Sequence, residues 1–373
     1  MARLAAGIRK RKDGTLEKRF TVNGKRYSVY GKTSKEIGDK EQDLREKLKS
    51  GTYTDNRNIT LDVYFKEWIN RKKGTIKAST VYSYSTYYNH NISPGLGRRK
   101  ISQLERRELY AFQGELAKQL HPANVNQIFK VLRMILNDAV TDGIIVRNPA
   151  DGVKALKNEE AAAAETIHRA LTETEQETFM RAAAGSYYYE FMALMILTGM
   201  RYGEAAALTW EEVDHKANVI HVVKNRNVLE DGSAGIGTPK TSTSIRDIPI
   251  TNEVRRILKQ QGDKMKLLNG LNVLPFDRRV FSTPGGAIIS SQVINRAIER
   301  ILQQLDEEGV HIDRFTSHAF RDTFATRYIE QGGSPQTLKT ILGHKNLSIT
   351  MDLYSHVLPN TKQKEMDLLR IIV

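Results

Sequence analysis

Residues 316–356 constrain this chain more than any other stretch, because strong helix punctuation there surrounds an unusual set of polar residues. The segment reads TSHAFRDTFATRYIEQGGSPQTLKTILGHKNLSITMDLYSH. Ser317 is suited to cap a first helix, and Gly332 with its neighbouring glycine is suited to end it. Pro335 is suited to start a second helix that stops at Gly343. Apolar residues recur at helical spacing between these signals, so the segment predicts three short helices, each with one buried face.

The polar residues left over in this segment are suited to phosphate chemistry. His318 and Arg321 are three residues apart and share a helix face, in a first turn whose free amides favour an anion. His344 follows the glycine stop, and Tyr354 comes ten residues later. An arginine fork matches phosphate oxygens, and a tyrosine hydroxyl can be a covalent nucleophile. The alternative is a solvated basic face, and with 15 tyrosines in the chain Tyr354 is a candidate only through the ordered set.

The order H-x-x-R, then L-G-H, then a tyrosine before S-H resembles the C-terminal signature of the tyrosine recombinase family, the phage and transposon integrases. The stretch Phe191–Trp210, FMALMILTGMRYGEAAALTW, is similar to the family's T-G-x-R-x-x-E-x-x-x-L. The resemblance therefore places Arg201 as a first catalytic arginine, with Glu204 as its acidic neighbour. The preceding run is apolar on every side, which predicts a buried helix broken at Gly199. The alternative is that Glu204 is simply the whole partner of Arg201.

The resemblance also requires a catalytic lysine on a β-hairpin, and Lys240 in TPKTSTSIRDIPI matches the family's K-T-x-x-S position. Val219–Val223 is a β-branched run, and Ile245–Ile250 is predicted to return as a strand, with glycine turns between them. Lys224 and Lys216 are rivals by proximity. Lysine is also common in such loops for solubility alone.

The resemblance implies how protons and bonds would move. Tyr354 would attack a scissile phosphate to give a 3′-phosphotyrosyl link and a free 5′-hydroxyl, and the partner strand's 5′-hydroxyl would reverse the step. Lys240 would protonate the departing 5′-oxygen, and His318 would take the tyrosine proton or hydrogen-bond the phosphate, supported by His344. Because the covalent link conserves the phosphodiester energy, no metal and no nucleotide cofactor is expected, and the sequence has no P-loop match.

The two arginines would carry the electrostatic part of the same mechanism. Arg201 and Arg321 would neutralise charge on the equatorial oxygens of the five-coordinate phosphorane. The chain departs from the family pattern directly after Arg321, where Asp322 stands and many members have histidine. This departure concerns a supporting contact and leaves the catalytic set intact.

Composition favours a nucleic acid as the partner. The 373 residues include 57 Lys and Arg against 43 Asp and Glu, a formal net charge of +14. Such a balance favours a polyanion. The start MARLAAGIRKRKDG has no apolar signal region and no run is long enough to span a membrane, so a cytoplasmic protein is expected. The chain has no cysteine, which excludes disulfides and a thiol nucleophile, and no acidic cluster has metal-ligand spacing.

The expected fold is multidomain and mainly α with small β-sheets. Residues 1–55 predict a three-stranded antiparallel sheet with turns at Asp13-Gly14 and Asn23-Gly24, followed by a helix over Ser34–Lys49. The module resembles the arm-site DNA-binding domain of phage and conjugative-transposon integrases. Its candidate DNA contacts are Arg9, Lys10, Arg11, Lys12, Lys18, Arg19, Lys25 and Arg26. The alternative is a solubilising sheet, and the aromatic residues Phe20, Tyr27 and Tyr30 either pack on the helix or touch bases.

Residues 58–152 predict a helical core-binding domain, because apolar seams recur at helical spacing on about four segments, with a turn at SPGLGRRKIS. By resemblance it would grip one face of the duplex, while a mixed α/β catalytic domain, residues 165–373, takes the other. The candidate phosphate contacts of the helical domain are Lys72, Lys73, Lys77, Arg98, Arg99 and Lys100. As single residues they have the alternative of being merely solvated.

The resemblance thus predicts a site-specific integrase that cuts and rejoins double-stranded DNA at core and arm sites, as a homotetramer, to integrate and excise a mobile element or prophage. Excision and DNA-bending accessory proteins are expected partners. The alternatives are a type IB topoisomerase-like nicking-closing enzyme and a non-catalytic DNA-binding regulator. The apolar tail Val357–Val373 is expected to dock on a neighbouring protomer, with docking on its own catalytic domain as the alternative.

Overall fold

The computed structural model describes most of the chain in separate stretches. These are residues 7–11, 14–22, 25–49, 59–157, 169–238, 244–270 and 278–344. The chain divides into two compact units, residues 1–70 with 87–154 and residues 71–86 with 155–373. The three-domain division stays a prediction. None of the helices within the described stretches has the length and apolar character needed to cross a membrane.

The front of the chain folds as the predicted three-stranded antiparallel sheet with one helix. Its elements are β1 (Ile8–Lys10), β2 (Leu16–Val22), β3 (Lys25–Gly31) and α1 (Ser34–Lys49), with β2 in the middle of the sheet. Ile37 and Leu44 of α1 pack on the buried apolar side chains of the sheet. The rings of Phe20 and Tyr27 stack with centroids 5.9 Å apart, whereas Tyr30 is 38 % exposed. Two of the three aromatics therefore pack, and one remains at the surface.

A helical bundle follows the front module. Its elements are α2 (Leu61–Lys72), a π-helical segment (Tyr88–Gly97), α4 (Arg106–Ala117) and α5 (Pro122–Thr141). The intervening helix α3 (Ala78–Tyr87) belongs almost entirely to the second compact unit. The predicted apolar seams of α2 and α5 are buried. Side-chain hydrogen bonds also join these helices. Trp68 Nε1 donates to Asp138 Oδ2, and the Tyr64 hydroxyl donates to Asp142 Oδ2, both at 2.6 Å.

The predicted turn at SPGLGRRKIS starts later than expected. The chain stays helical through Gly97 in a π-helical geometry that accommodates Pro94, and it turns only at the next two residues. Ile92 and Leu96 are buried, and the Tyr88 hydroxyl donates to Asp62 Oδ1 at 2.8 Å. Packing against the rest of the bundle thus overrides the local Pro-Gly signal.

The remaining described residues surround one buried helix. The helices are α6 (Glu173–Ala182), α7 (Tyr189–Thr198), α8 (Tyr202–Ala207), α9 (Asn252–Gly270), α10 (Ser291–Glu307), α11 (His318–Glu330) and α12 (Pro335–Leu342). Every residue from Phe191 to Ile196 is buried, and α7 packs against α9 and α11. A helix that is apolar on all sides cannot face water, which puts α7 at the centre of this core.

The strands of this part form a small sheet and a separate hairpin. They are β4 (Val213–Asp214), β5 (Val219–Val222), β6 (Asn225–Val228), β7 (Ala234–Gly237) and β8 (Arg246–Pro249). The sheet has the order β4-β5-β8, and β6 pairs with β7. The two predicted strands therefore pair directly with each other, and the chain between them contributes a hairpin of its own. This fold class, mainly helical with small antiparallel sheets, is the one that the sequence predicted.

Candidate active site

Arg201 lies at the first turn of α8, directly after the end of α7. The buried helix ends at Gly199, whose φ is +65°, and a Cβ there would come within 2.6 Å of the Phe324 ring. Both the backbone conformation and the space therefore require glycine. The Arg201 backbone N–H donates to Glu204 Oε2 at 2.9 Å, and its Nη1 donates to Glu204 Oε1 at 2.9 Å. Glu204 thus fixes both the backbone and the side chain of Arg201.

Glu204 is shared between two arginines. Arg246 on β8 donates from Nη1 to Glu204 Oε1 at 3.0 Å and from Nη2 to Glu204 Oε2 at 2.8 Å. The Arg246 and Glu204 side chains are 3 % and 2 % exposed, whereas that of Arg201 is 38 % exposed. Burial raises the pKa of Glu204, but Arg246 and then Arg201 outweigh it and hold that pKa below its ordinary value. Glu204 is therefore an ionised carboxylate that Arg201 shares with Arg246.

Arg321 is buried, and its guanidinium donates to backbone carbonyls. Its Nη1 donates to the Gly199 carbonyl at 2.7 Å and its Nη2 to the Leu342 carbonyl at 2.6 Å. Within the described residues, no acidic side chain lies within ion-pair distance of its guanidinium. Burial, and then the charge of Arg201, lower the pKa of Arg321 to about 9, so the group still carries its charge at pH 7. Three arginines consequently surround one carboxylate, which leaves an excess of positive charge that suits an anion.

Arg246 and Arg321, the two buried arginines, also bind the C-terminal carbonyls of α12. The final carbonyls of a helix have no partner within the helix. Arg246 Nε donates to the Ile341 carbonyl, and Arg321 takes the Leu342 carbonyl. Arg246 Nη1 also donates to the Ser244 carbonyl at 3.1 Å. These bonds fix the turn that leads into His344.

His344 follows Gly343, which has the predicted left-handed stop conformation with φ of 68°. Burial, and then the neighbouring charges of Arg321, Arg201 and Arg246, together lower the pKa of His344 to about 4. The ring is therefore neutral at pH 7. A neutral imidazole has one N–H to donate and one nitrogen that accepts.

His318 begins α11, and its ring contacts the residue at which the chain departs from the family pattern. His318 Nδ1 lies 3.1 Å from Asp322 Oδ2, and the His318 side chain is half exposed. A carboxylate at Nδ1 favours the tautomer with the proton on that nitrogen. Asp322 therefore gives His318 an orienting partner. Ser317, the predicted cap, precedes the helix without a capping side-chain bond; instead its backbone N–H donates to Asn295 Oδ1 at 3.0 Å.

These side chains meet at one cavity of about 730 Å³. Its lining includes Arg201, His318, Arg321 and His344, which are four of the six predicted catalytic residues. The other two, Lys240 and Tyr354, lie outside the described residues, as does the tail. The catalytic roles of all six stay predictions.

The two rival lysines have surroundings of their own. Lys224 Nζ lies 2.6 Å from Glu212 Oε1 and donates to Thr209 Oγ1 at 3.4 Å, so an acidic side chain already holds it. Lys216 is exposed in the turn between β4 and β5. Neither lysine lines the cavity.

The candidate DNA contacts of the front module fall into two groups. Arg9 and Lys10 are exposed on the edge strand β1. The other described candidates form ion pairs. Arg11 and Arg19 lie 4.0 Å and 2.8 Å from Glu17, and Lys18 lies 2.5 Å from Glu41. Lys12 lies outside the described residues, as do the side chains of Lys25 and Arg26. Among the described side chains, no acidic group lies within 4.0 Å of Arg9 or Lys10, although Arg9 stands opposite Glu17 in the β1–β2 register.

The candidates of the helical part are also mixed. Lys73 pairs with Glu230 at 3.1 Å, Arg99 pairs with Glu108 at 2.7 Å, and Arg98 is exposed. Lys77 is exposed, and Lys72 and Lys100 are partly buried. None of these positions by itself distinguishes a DNA contact from a solvated side chain.

Arg246 is a residue next to the cavity that the sequence interpretation missed. Along β8 the buried positions are Ser244, Arg246, Ile248 and Ile250, while Ile245 is 54 % exposed. The strand was predicted, and in the structure the side chains that point into the protein are those in register with Arg246, not those in register with Ile245. An arginine at an inward position of an alternating strand indicates a buried ion pair, and that signal was present in SIRDIPI.

Two family models match stretches of the chain. Residues 169–361 match the model of the Phage integrase family, and residues 60–117 match that of the phage integrase N-terminal SAM-like domain. A tyrosine recombinase XerC-like protein of Caldanaerobacter subterraneus is 27 % identical over 366 residues, which is 93 % of this chain and 92 % of that protein. The ICEBs1 integrase of Bacillus subtilis is 27 % identical over 344 residues, 90 % of this chain and 89 % of that protein.

Solved structures share the fold. A Tn1549 transposon integrase in complex with a circular intermediate DNA superposes with a TM-score of 0.67 at 22 % identity, covering 84 % of this chain and 100 % of that one. A lambda integrase tetramer bound to a Holliday junction gives a TM-score of 0.58 at 18 % identity, covering 95 % and 96 %. At these identities the likeness concerns the fold.

Proposed function

The chain belongs to the phage integrase family and is a tyrosine-type DNA recombinase, and from this premise we propose that it integrates and excises a mobile element by cutting and rejoining double-stranded DNA. The intermediate is a 3′-phosphotyrosyl link. Relatives over nine tenths of the chain include an integrase of the element ICEBs1, which supports a mobile element as the substrate.

One observation carries the proposal, namely the excess of buried positive charge around Glu204. Among the described residues, Arg201 and Arg246 share the Glu204 carboxylate, and the hydrogen bonds of the Arg321 guanidinium go to two backbone carbonyls. An uncompensated buried charge is strongly unfavourable, on the order of several kcal/mol, unless an anion accompanies it. A phosphate that gains charge in a phosphorane is such an anion, and preorganised donors stabilise it without reorganisation at the moment of reaction.

The described side chains suit the proposed steps. Arg201 and Arg321 stabilise the phosphorane oxygens. His318, oriented by Asp322, accepts the proton of the tyrosine hydroxyl on Nε2 as the phosphorus–oxygen bond to Tyr354 forms. His344 is neutral and donates its N–H to a phosphate oxygen.

The leaving group is handled by a residue outside the described part. Lys240 gives its proton to the 5′-oxygen as the scissile bond breaks. In the second half of the reaction, a 5′-hydroxyl of the partner strand attacks the phosphotyrosine and releases Tyr354, so the number of phosphodiester bonds is unchanged.

The assembly we propose has several parts. The front module binds arm sites, the helical part and the catalytic part bind the core site, and four protomers act together on the DNA in the cytoplasm. A lambda integrase tetramer bound to a Holliday junction shares the fold, which supports four protomers. Excision and DNA-bending proteins are proposed as accessory partners.

The test is covalent trapping on a nicked duplex that carries the DNA flanking the gene. We expect the wild-type chain to form a covalent complex and Tyr354→Phe to bind the duplex equally well without forming one, because the ring remains and only the nucleophile is lost. Persistence of the covalent product in Tyr354→Phe would show that Tyr354 is not the nucleophile. Lys240→Ala should cleave slowly and be rescued by a 5′-bridging phosphorothiolate, whose sulfur leaves without a proton. Holliday junctions formed from two duplexes distinguish a recombinase from a nicking-closing enzyme.

A further inference from the structure

The cavity contains another arginine, Arg226 on β6, to which the mechanism above gives no role. Arg226 lines the cavity together with Arg201, His318 and Arg321. Building on the proposed function, we propose that Arg226 binds a DNA backbone phosphate next to the scissile one, so that the cavity holds two successive phosphates of the cleaved strand.

Arg226 differs from the other arginines of the cavity in its partners. Arg201 and Arg246 share a carboxylate, and Arg321 donates to two carbonyls. Among the residues that the structure describes, no acidic side chain pairs with Arg226, and its buried Nε has no hydrogen-bond partner. A buried donor left without an acceptor is unfavourable, and an anion in the cavity would supply that acceptor.

An unpaired Nε alone would not carry this inference. Arg169 and Arg327 also have a buried Nε without a partner. Their terminal nitrogens are nevertheless occupied, since Arg169 forms two 2.7 Å bonds to Glu175 and Arg327 donates to the Leu171 carbonyl at 2.7 Å. Arg226 is distinguished because, within the described stretches, its whole guanidinium lacks such a partner.

The backbone holds Arg226 close to the helix of the first catalytic arginine. A Cβ on Gly203 of α8 would come within 2.6 Å of Asn225 Oδ1, so glycine allows β6 to approach. Asn225 Nδ2 donates to the Arg226 carbonyl at 2.8 Å, and Arg226 pairs with Ile236 across the hairpin. The position of Arg226 is therefore set by α8 and by the β6–β7 ladder, before any ligand binds.

The ligand class follows from this placement. A guanidinium fork matches two phosphate oxygens and binds them without sequence preference. Successive phosphates of one DNA strand are only about 3.4 Å apart along the helix axis. A cavity that seats the scissile phosphate at Arg201 and Arg321 therefore brings the next phosphate to its border, where an arginine without an acidic partner is the side chain suited to receive it.

The experiment uses the full chain and the nicked duplex described above, with one phosphate of the cleaved strand at a time replaced by a neutral methylphosphonate. Binding affinity, its dependence on salt and the rate of covalent complex formation are measured for the wild-type chain, Arg226→Gln and Arg226→Lys. Arg278→Gln is the matched control, because Arg278 pairs with Glu211 at 2.8 Å, is 73 % exposed and does not line the cavity.

We expect one methylphosphonate next to the scissile position to weaken binding of the wild-type chain about tenfold, as loss of one charged hydrogen-bonded contact does. Arg226→Gln should bind unmodified DNA about tenfold more weakly and be insensitive to that same methylphosphonate. Its slope of log affinity against log salt should be smaller by about 0.9, the value for one phosphate contact. Arg226→Lys should recover most of this slope, and Arg278→Gln should match the wild type.

Two results overturn the inference while leaving the proposed function standing. In one, the fold-loss of affinity for Arg226→Gln with a methylphosphonate equals the product of the two separate fold-losses at every position tested, which would mean that Arg226 contacts none of those phosphates. The other is that the wild-type chain is insensitive to methylphosphonates on both sides of the scissile phosphate, a result that does not depend on the folding of any variant. If the wild-type chain forms no covalent complex at all, the proposed function fails, and the inference fails with it.

Discussion

The front module and the active-site cavity both present basic side chains, but water surrounds one set and protein surrounds the other. In the module, Arg19 is 61 % exposed on the side chain beside Glu17, and Lys18 is 29 % exposed beside Glu41. In the cavity region, Arg246 and Arg321 have relative exposures of 7 % and 3 %. Both regions contribute to the same net charge of +14, yet their surroundings give that charge different uses.

Solvent screens an exposed pair and lets its partners exchange easily, so such a residue can leave its carboxylate for a phosphate at little cost. A buried guanidinium is instead held in place by carbonyls and by one carboxylate before the DNA arrives. Fixed charge of this kind is the arrangement that stabilises a transition state. The comparison indicates that exposed basic residues contribute to DNA binding, whereas buried ones contribute to catalysis. The following experiments test this division.

The largest expected effect is on Arg321, the buried arginine that donates to two backbone carbonyls. Arg321→Ala should lower the rate of covalent complex formation by about 10³-fold or more, on the order of what removal of an electrostatic contact to a phosphorane does. Arg321→Lys should be intermediate, since it keeps the charge and loses the fork. The control is Arg300→Ala, an exposed arginine of α10. A fall of less than tenfold for Arg321→Ala would mean that the buried charge is structural.

The second effect concerns Arg246, which is buried against Glu204. Arg246→Met leaves that carboxylate with one arginine, and breaking a buried pair in this way costs about 3–5 kcal/mol of unfolding free energy. The measurement is denaturant unfolding of Arg246→Met, Glu204→Gln and the double variant. We expect the double variant to lose less than the sum of the single ones, because each single variant already breaks the Arg246–Glu204 ion pair. Strict additivity would contradict the coupling between the two side chains.

The third effect is a pH dependence that originates at His344. Its pKa is lowered from 6.5 to about 4 in the folded chain, so between those values the unfolded state binds more protons. The contribution of His344 is therefore complete above pH 6.5 and is lost as the pH falls toward 4, with a total of about 3 kcal/mol.

The variant His344→Gln should show a flatter curve of unfolding free energy between pH 6.5 and 4 than the wild-type chain. Glu175 is a useful internal reference, because Arg169 lowers its pKa from 4.5 to about 2 and its contribution is lost only at lower pH. Curves that coincide down to pH 4 would mean that His344 titrates normally.

A smaller effect is expected at the exposed pair Arg9 and Lys10 of the front module. Replacing both by Gln should weaken binding to an arm-site duplex and lower the salt slope by about 1.8, as for two phosphate contacts. Cleavage of core-site DNA should be unchanged, and deletion of residues 1–55 should leave it intact too. If the truncated chain cannot cleave core DNA, the module belongs to the active site.

The smallest effect is expected for Lys18, which Glu41 already holds at 2.5 Å. Lys18→Gln should change arm-site affinity less than twofold, because the wild-type side chain must leave one partner to gain another. The comparison with Lys10→Gln in the same binding assay is the measurement, because Lys10 stands opposite Leu16 in the sheet. A larger loss from Lys18→Gln than from Lys10→Gln would show that an acidic neighbour does not remove a basic residue from the DNA surface.

Local signals in the sequence determined much of the fold. The stops at Gly199 and Gly343 and the helix start at Pro335 appear where capping and glycine chemistry predict them, since these signals act within a few residues. The three-stranded front sheet also appears as predicted, whereas Asp13, Asn23 and Gly24 of its predicted turns lie outside the described residues. The ordered motif of histidines, arginine and tyrosine identified the family because it is a property of the sequence itself.

Only the tertiary structure decided how the charged groups are surrounded. Arg246 meets Glu204 across 42 residues of sequence and Ile341 across 95, and no local pattern encodes such pairings. The lowered pKa of His344 likewise depends on burial and on arginines from three other elements. The π-helical segment before Arg98 persists because packing outweighs a local turn signal. Propensities and caps depend on neighbours along the chain, whereas burial and buried charge depend on which elements meet, and so the residues were predictable while their electrostatics were not.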